Sequence, residues 1–119
     1  MAKRKNIKGV AKVKKVSAKT RDKNALKEWR EAVYEIAGHK CEYCGSVEFL
    51  NPHHIFGRRN YATRYDVDNG CCLCSGCHTM RNTFSAHQTP LLFSDWIRER
   101  RGDEWFDALR VRANTPRKK

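Results

Sequence analysis

The sequence predicts a small α+β domain, a short β-hairpin that carries metal-binding knuckles and is flanked by helices. Three observations predict it. Apolar residues recur with a helical period in three segments. Two CxxC pairs, Cys41-Glu-Tyr-Cys44 and Cys74-Ser-Gly-Cys77, stand 29 residues apart. The stretch between them holds only short apolar runs bounded by Pro, Gly and Asn-Gly, which punctuate strands and turns.

Residues 1–23 hold ten Lys or Arg and one acid, Asp22, with almost no large apolar side chains. Such a segment cannot bury enough surface to offset its ordering entropy, and it reads as a mobile basic arm. The folding unit is then 24–112, with 113–119 as a short basic tail. Residues 25–37 read as a helix, with Leu26, Trp29, Val33 and Ile36 on one face, Asn24 as its cap and Gly38 as its stop. The first knuckle follows at once. Val47 to Leu50 is a short strand candidate, and Pro52-His53-His54-Ile55-Phe56 is an apolar run around two histidines ending at Gly57. Gly57 to Asp68 is a polar, Arg-rich loop. Asn69-Gly70 is a hairpin-turn signal, and Cys71-Cys72-Leu73 is the strand leading into the second knuckle. At least one of Cys71 and Cys72 is expected to be buried. A helix starts between Ser75 and His78. Residues 91–101 form another, with Leu92, Trp96 and either Phe93 or Ile97 inward, stopped by Gly102. Asp103 caps a last helix with Trp105, Phe106 and Leu109 inward.

The chain has 119 residues, a net charge of +12 and a pI near 9.8. That balance points to a polyanionic partner, nucleic acid first and an acidic membrane surface second. No apolar run approaches the roughly 18 residues of a membrane span. The basic N-terminus lacks the apolar core of a secretory signal, so the cytoplasm is the expected compartment, where disulfides are rare. The six cysteines are therefore read as thiols or metal ligands. Each CxxC pair can place two thiolates on one ion, so Cys41, Cys44, Cys74 and Cys77 together make a structural zinc site. The competing reading is a reduced core of buried thiols. Zinc would contribute on the order of 10–16 kcal/mol, more than so small a core supplies.

The insert between the knuckles carries His53, His54 and Asn69, and His78 follows Cys77. Taken singly, each has an ordinary explanation: a packed histidine, a turn residue, a surface side chain. Their co-occurrence within 38 residues, in the order CxxC, HH, N, CxxCH, changes the odds.

That pattern resembles the HNH endonucleases. Cys41-Glu-Tyr-Cys44-Gly45, His53-His54-Ile55, Asp68-Asn69-Gly70 and Leu73-Cys74-Ser-Gly-Cys77-His78 carry the resemblance, which covers about a third of the chain. It implies a ββα-metal, treble-clef-like core and a phosphodiester hydrolase that leaves 5′-phosphate and 3′-hydroxyl ends on DNA. It implies His54 as general base and Asn69 as the residue that orients its loop. His53 and His78 would be ligands of one catalytic divalent cation: Mg, Mn, Ni or Zn. Strand alternation requires β-structure to end or bend at His53-His54 if the two are to share a site. The third ligand is open between Asn82, one helical turn beyond His78, and His87. His87 precedes Pro90 and the Trp96 helix as in phage-type relatives, and it needs a chain break near 83–85. For a phage-encoded protein the compartment is the host cytoplasm. Arg58, Arg59, Arg64 and Arg81 are candidate DNA contacts, and the loop that holds the first three reads equally well as merely solvated. A monomer or weak homodimer is expected. A zinc-containing nucleic-acid-binding module without catalysis, and an RNA- or ribosome-associated zinc protein, are the competing functions.

Overall fold

The computed structural model describes residues 17–115. Residues 1–16 and 116–119, most of the expected basic arm and the end of the expected tail, lie outside them. The described chain is α+β. Helix α1 spans Ala18–Ile36, strand β1 Leu50–His54 and strand β2 Gly70–Cys74. A single 3₁₀ turn, Val67–Asn69, precedes β2, and one π-turn, Gly76–Met80, follows it. Helices α2, Pro90–Arg101, and α3, Asp103–Ala113, close the chain.

The two strands pair antiparallel, His53 opposite Cys71 and His54 opposite Gly70. Pro52 lies opposite Cys72, whose backbone N–H donates to the Glu42 carboxylate (2.9 Å) and whose carbonyl accepts from Glu42 N (2.8 Å). Both groups thus point to the other edge, and Pro52 has no ladder bond to miss.

Side chains alternate across the ribbon, and each face meets a helix. Trp29 and Val33 of α1 pack with Cys72 on one face. Phe93 and Ile97 of α2 pack with Cys71, Leu73 and Phe84 on the other. Gly70 lets the first layer close, because a Cβ there would overlap a Val33 methyl and crowd the Trp29 ring. The 55–69 connection is pinned rather than simply solvated. Arg64 forms a bidentate pair with Asp22 (2.7 and 2.9 Å). Arg112 reaches Asp66 (2.8 Å) and Asp68 (3.0 Å), and Asn60 donates to the Ala113 carbonyl (2.9 Å).

Several expectations are corrected. The first helix begins at Ala18 with Ser17 as its cap, not at residue 25 behind Asn24, so residues 18–23 are helical. No helix breaker lies in that stretch, and Asp22 is anchored by Arg64. The strand expected at 47–50 runs instead from Leu50 through His54, where β2 offers a partner. Asn69-Gly70 is no two-residue hairpin turn, since residues 55–69 join the strands. Ile36 (70% exposed) and Leu92 (53%) point outward. Asp103 makes no capping hydrogen bond, and its carboxylate pairs with Arg98. Cys71 and Cys72 are both fully buried, as the strand reading expects of at least one. Among the described residues no helix is long and apolar enough to cross a membrane.

Candidate functional site

Two clusters of metal-ligand side chains form around the ribbon. The first joins both knuckles. Cys41, Cys44, Cys74 and Cys77 bring their sulfurs within 4.8 Å of one another, with Cys44 Sγ 3.6 Å from Cys74 Sγ. A tetrahedral zinc with Zn–S near 2.3 Å sets its sulfurs about 3.8 Å apart, so the four thiols fit such an ion. Gly45, at φ 81°, turns the first knuckle in a conformation that suits glycine, and Cys44 N–H donates to Cys41 Sγ (3.4 Å). Burial works against the Cys41 thiolate, but backbone N–H groups of Cys44, Cys74 and Tyr43 outweigh it and bring its pKa down to about 7. Cys77 is pushed well up, by burial first and by Cys41 second, a repulsion that a bound cation relieves. These four cysteines can therefore hold a structural metal ion such as zinc.

The second cluster is His53, His78 and His87, whose ring nitrogens also lie within 4.8 Å of one another. His78 Nε2 and His87 Nε2 are 3.2 Å apart, close to the spacing of about 3.3 Å expected of two imidazoles on one ion at Zn–N distances near 2.0 Å. The chain after Cys77 explains how His87 gets there. The π-turn ends at Met80, and the following segment folds back, with Ala86 N bonded to Cys77 O (2.9 Å) and His87 N to His78 O (3.0 Å). The chain therefore breaks at Arg81, earlier than the 83–85 expected. Of the two rival third ligands the structure brings His87 to His53 and His78, and Asn82 is exposed. Burial, then the charges of His78, His87 and His54, hold His53 down at about 3. Burial lowers His78 too, with His87 adding to it. Both shifts favour the neutral ring, the state that ligates metal.

His53 and His54 end β1 on opposite faces. His53 stands edge-on to Phe93 (5.1 Å), whereas His54 stacks flat on Trp29 of α1, ring centroids 3.8 Å apart. The strand ends at His54. His54 Nε2 lies 2.9 Å from the Arg64 carbonyl, which can only accept, so that nitrogen carries the proton and Nδ1 keeps its lone pair. Burial lowers the His54 pKa, the bond to the Arg64 carbonyl opposes this, and the Arg58 and Arg64 charges lower it further.

Asn69 is fully buried and closes the loop that follows His54. Its Oδ1 accepts from Phe56 N (2.6 Å), and its Nδ2 donates to the carbonyls of Phe56 (2.9 Å) and Thr63 (3.1 Å).

The candidate DNA-contacting arginines divide. Arg58 and Arg59 are exposed. Arg64 is buried in its pair with Asp22, which also accepts from the Tyr65 hydroxyl, so its guanidinium is committed to the fold. The Arg64 hydrogen bond, then that of Tyr65, holds Asp22 down at about 2. Arg81 is exposed and donates to Cys77 Sγ (3.5 Å), a contact to the knuckle.

Three residues escaped the sequence reading. Asp22 was placed in the arm. Trp29 was placed in the core with no link to His54. Glu42, inside the first knuckle, is 7% exposed and ties Cys72 N to Arg100 and Arg101 of α2. All three act through partners 25 or more residues away, which no local pattern encodes.

No family model, curated protein or solved structure matches this chain.

Proposed function

We propose that the protein is a metal-dependent DNA endonuclease of HNH type, built on a ββα-metal, treble-clef-like core. One arrangement carries this reading. His54 has Nε2 fixed on a backbone carbonyl and Nδ1 left as a base, and its chain neighbour His53 is one of three converging histidines. A packed core histidine has no need of that neighbour set, and a zinc-binding module without catalysis has no use for it.

In this reading His54 Nδ1 takes a proton from the attacking water as its oxygen bonds to phosphorus. The P–O3′ bond breaks, leaving a 5′-phosphate, and the departing oxygen takes a proton from solvent water to become a 3′-hydroxyl. The Arg64 carbonyl stabilises the imidazolium that forms, and stacking on Trp29 fixes the ring plane. Asn69 acts through the backbone, holding the start of the 56–63 loop so that its far end presents that carbonyl. His53, His78 and His87 would hold one divalent cation, which supplies a positive charge for the phosphoryl and leaving oxygens. Arg58 and Arg59 add phosphate contacts from the loop.

The test is nicking of supercoiled plasmid by zinc-loaded protein with Mg, Mn, Ni or EDTA, beside His54→Ala and His87→Ala. Metal-dependent nicking that falls by at least about 10³-fold in His54→Ala is expected. Folded, zinc-loaded protein that cuts neither duplex nor branched DNA under any metal would sink the enzyme reading and leave the non-catalytic binding module.

A further inference from the structure

On the α1 side of His54 lies a cavity of about 170 Å³, lined by Leu26, Trp29, Arg30, Pro52, His54 and Arg58. We infer that this cavity is a phosphodiester pocket and that Arg30, on α1, is one of the two residues that hold the anion there. The inference rests on the nuclease reading of His54 and adds to it a substrate contact from a helix outside the resemblance.

The charge pattern is the first ground. No acidic residue lines the cavity. Among the described residues, neither the Arg30 nor the Arg58 guanidinium has a carboxylate partner. Arg64, Arg98, Arg100, Arg101, Arg110 and Arg112 all have one. Asp22 of α1 is bonded to Arg64, and the Arg58 charge reaches it without an ion pair. Two cations lining one concavity repel each other, and an anion between them reverses that cost. The walls are the second ground. Trp29, Leu26 and Pro52 exclude water from the sides and focus the field. Size is the third. The volume equals that of about five to six waters, room for a phosphate group with a water or two. Arginine forks suit phosphate oxygens, which they bind two at a time. Because β1 ends at His54, a strand laid across that end can touch this pocket and the His54 base together.

The test uses the full, zinc-loaded chain and two readouts. Inorganic phosphate is titrated at constant pH while the ring signals of His54 and Trp29 are followed by NMR. Saturable shifts are expected in the unmodified protein and in Lys27→Ala, an exposed α1 control. Arg30→Ala should weaken them at least tenfold, with Arg30→Lys between. In plasmid nicking, Arg30→Ala should lower kcat/KM by 10- to 100-fold, partly recovered in Arg30→Lys. If the unmodified protein nicks DNA and Arg30→Ala matches it in both assays, the pocket inference is overturned and the nuclease reading stands. If the protein never nicks DNA yet phosphate shifts His54 in an Arg30-dependent way, the nuclease reading falls and the anion pocket stands.

Discussion

Asn69 shows how much one side chain can carry. It has no exposed surface, and its amide makes three hydrogen bonds that join Phe56, two residues past β1, to the middle of the loop. Asn69→Asp keeps the acceptor for Phe56 N but turns the two donors into an oxygen facing two carbonyls. Stranding buried polar groups this way costs about 1–3 kcal/mol each, so urea melts should show a loss of at least about 2 kcal/mol. A change within 0.5 kcal/mol, on the order of an ordinary surface substitution, would refute the structural role. Nicking should fall as well, because the Arg64 carbonyl is carried by that loop. The histidines set the acid limit of stability. His53 is held at about 3 in the fold, by burial before all else, against an ordinary 6.5. A group whose folded pKa is depressed contributes stability that is full above its unfolded value and is lost as pH falls from there towards its folded value. Lowered values at His54 and His78 act in the same direction. Thermal melts should therefore weaken as pH drops from about 7 to about 5.5, and His53→Phe should flatten that decline. An equal slope in both proteins would rule His53 out as its source. Sequence alone named His53, His54, Asn69, His78 and the four cysteines, since spacing advertises them. It left Asn82 and His87 open, because only the fold-back after Met80 decides which of them meets His78.

At the level of elements, what was legible followed local chemistry. The α2 and α3 helices, the β2 strand and the knuckles all announce themselves by period, Gly102 or CxxC spacing. What was not legible depended on partners far along the chain. α1 starts at Ala18 behind Ser17, and Asp22, in the turns that precede residue 25, answers to Arg64, 42 residues away. β1 moved because its register is set by β2, and Pro52 is tolerated only because Cys72 turns its backbone groups to Glu42. Gly70 belongs to the same class. In sequence it is half of a turn signal, and in the fold it is the space into which α1 closes on the ribbon. Gly70→Ala would force its new methyl against Val33 and the Trp29 ring. Overpacking of that kind costs typically about 1–3 kcal/mol. Because Trp29 also stacks on His54, the substitution should lower activity further than its stability loss explains, with altered Trp fluorescence. Full nicking activity by a protein with an unchanged melt would show that α1 can shift without consequence for His54.

For the whole molecule, the layers divide the labour. α2 and the His53 face hold the histidine cluster, α1 and the His54 face hold the proposed base, and α3 ties down the loop between them through Arg112 and the Ala113 carbonyl. Charge is distributed differently from structure. The net charge is +12, and residues 1–16 alone hold seven Lys or Arg and no acid, so the remainder carries 12 − 7, or +5. Phosphate contacts release counterions, and binding then falls with salt at a slope of about 0.9 per phosphate neutralised. If the full chain covers about six phosphates, log K should fall with log salt at a slope of about −5, a loss near 10³-fold between about 50 and 200 mM. Deleting residues 1–16 should bring the slope to about −3, while cleavage at low salt and saturating DNA keeps its rate, since no proposed base, ligand or Arg30 contact is removed. Fluorescence anisotropy on a duplex of mixed sequence reads the slopes directly. An unchanged slope after deletion would place the DNA contacts on the folded domain alone, and the exposed Arg58 and Arg59 with Arg30 would then have to account for all of it.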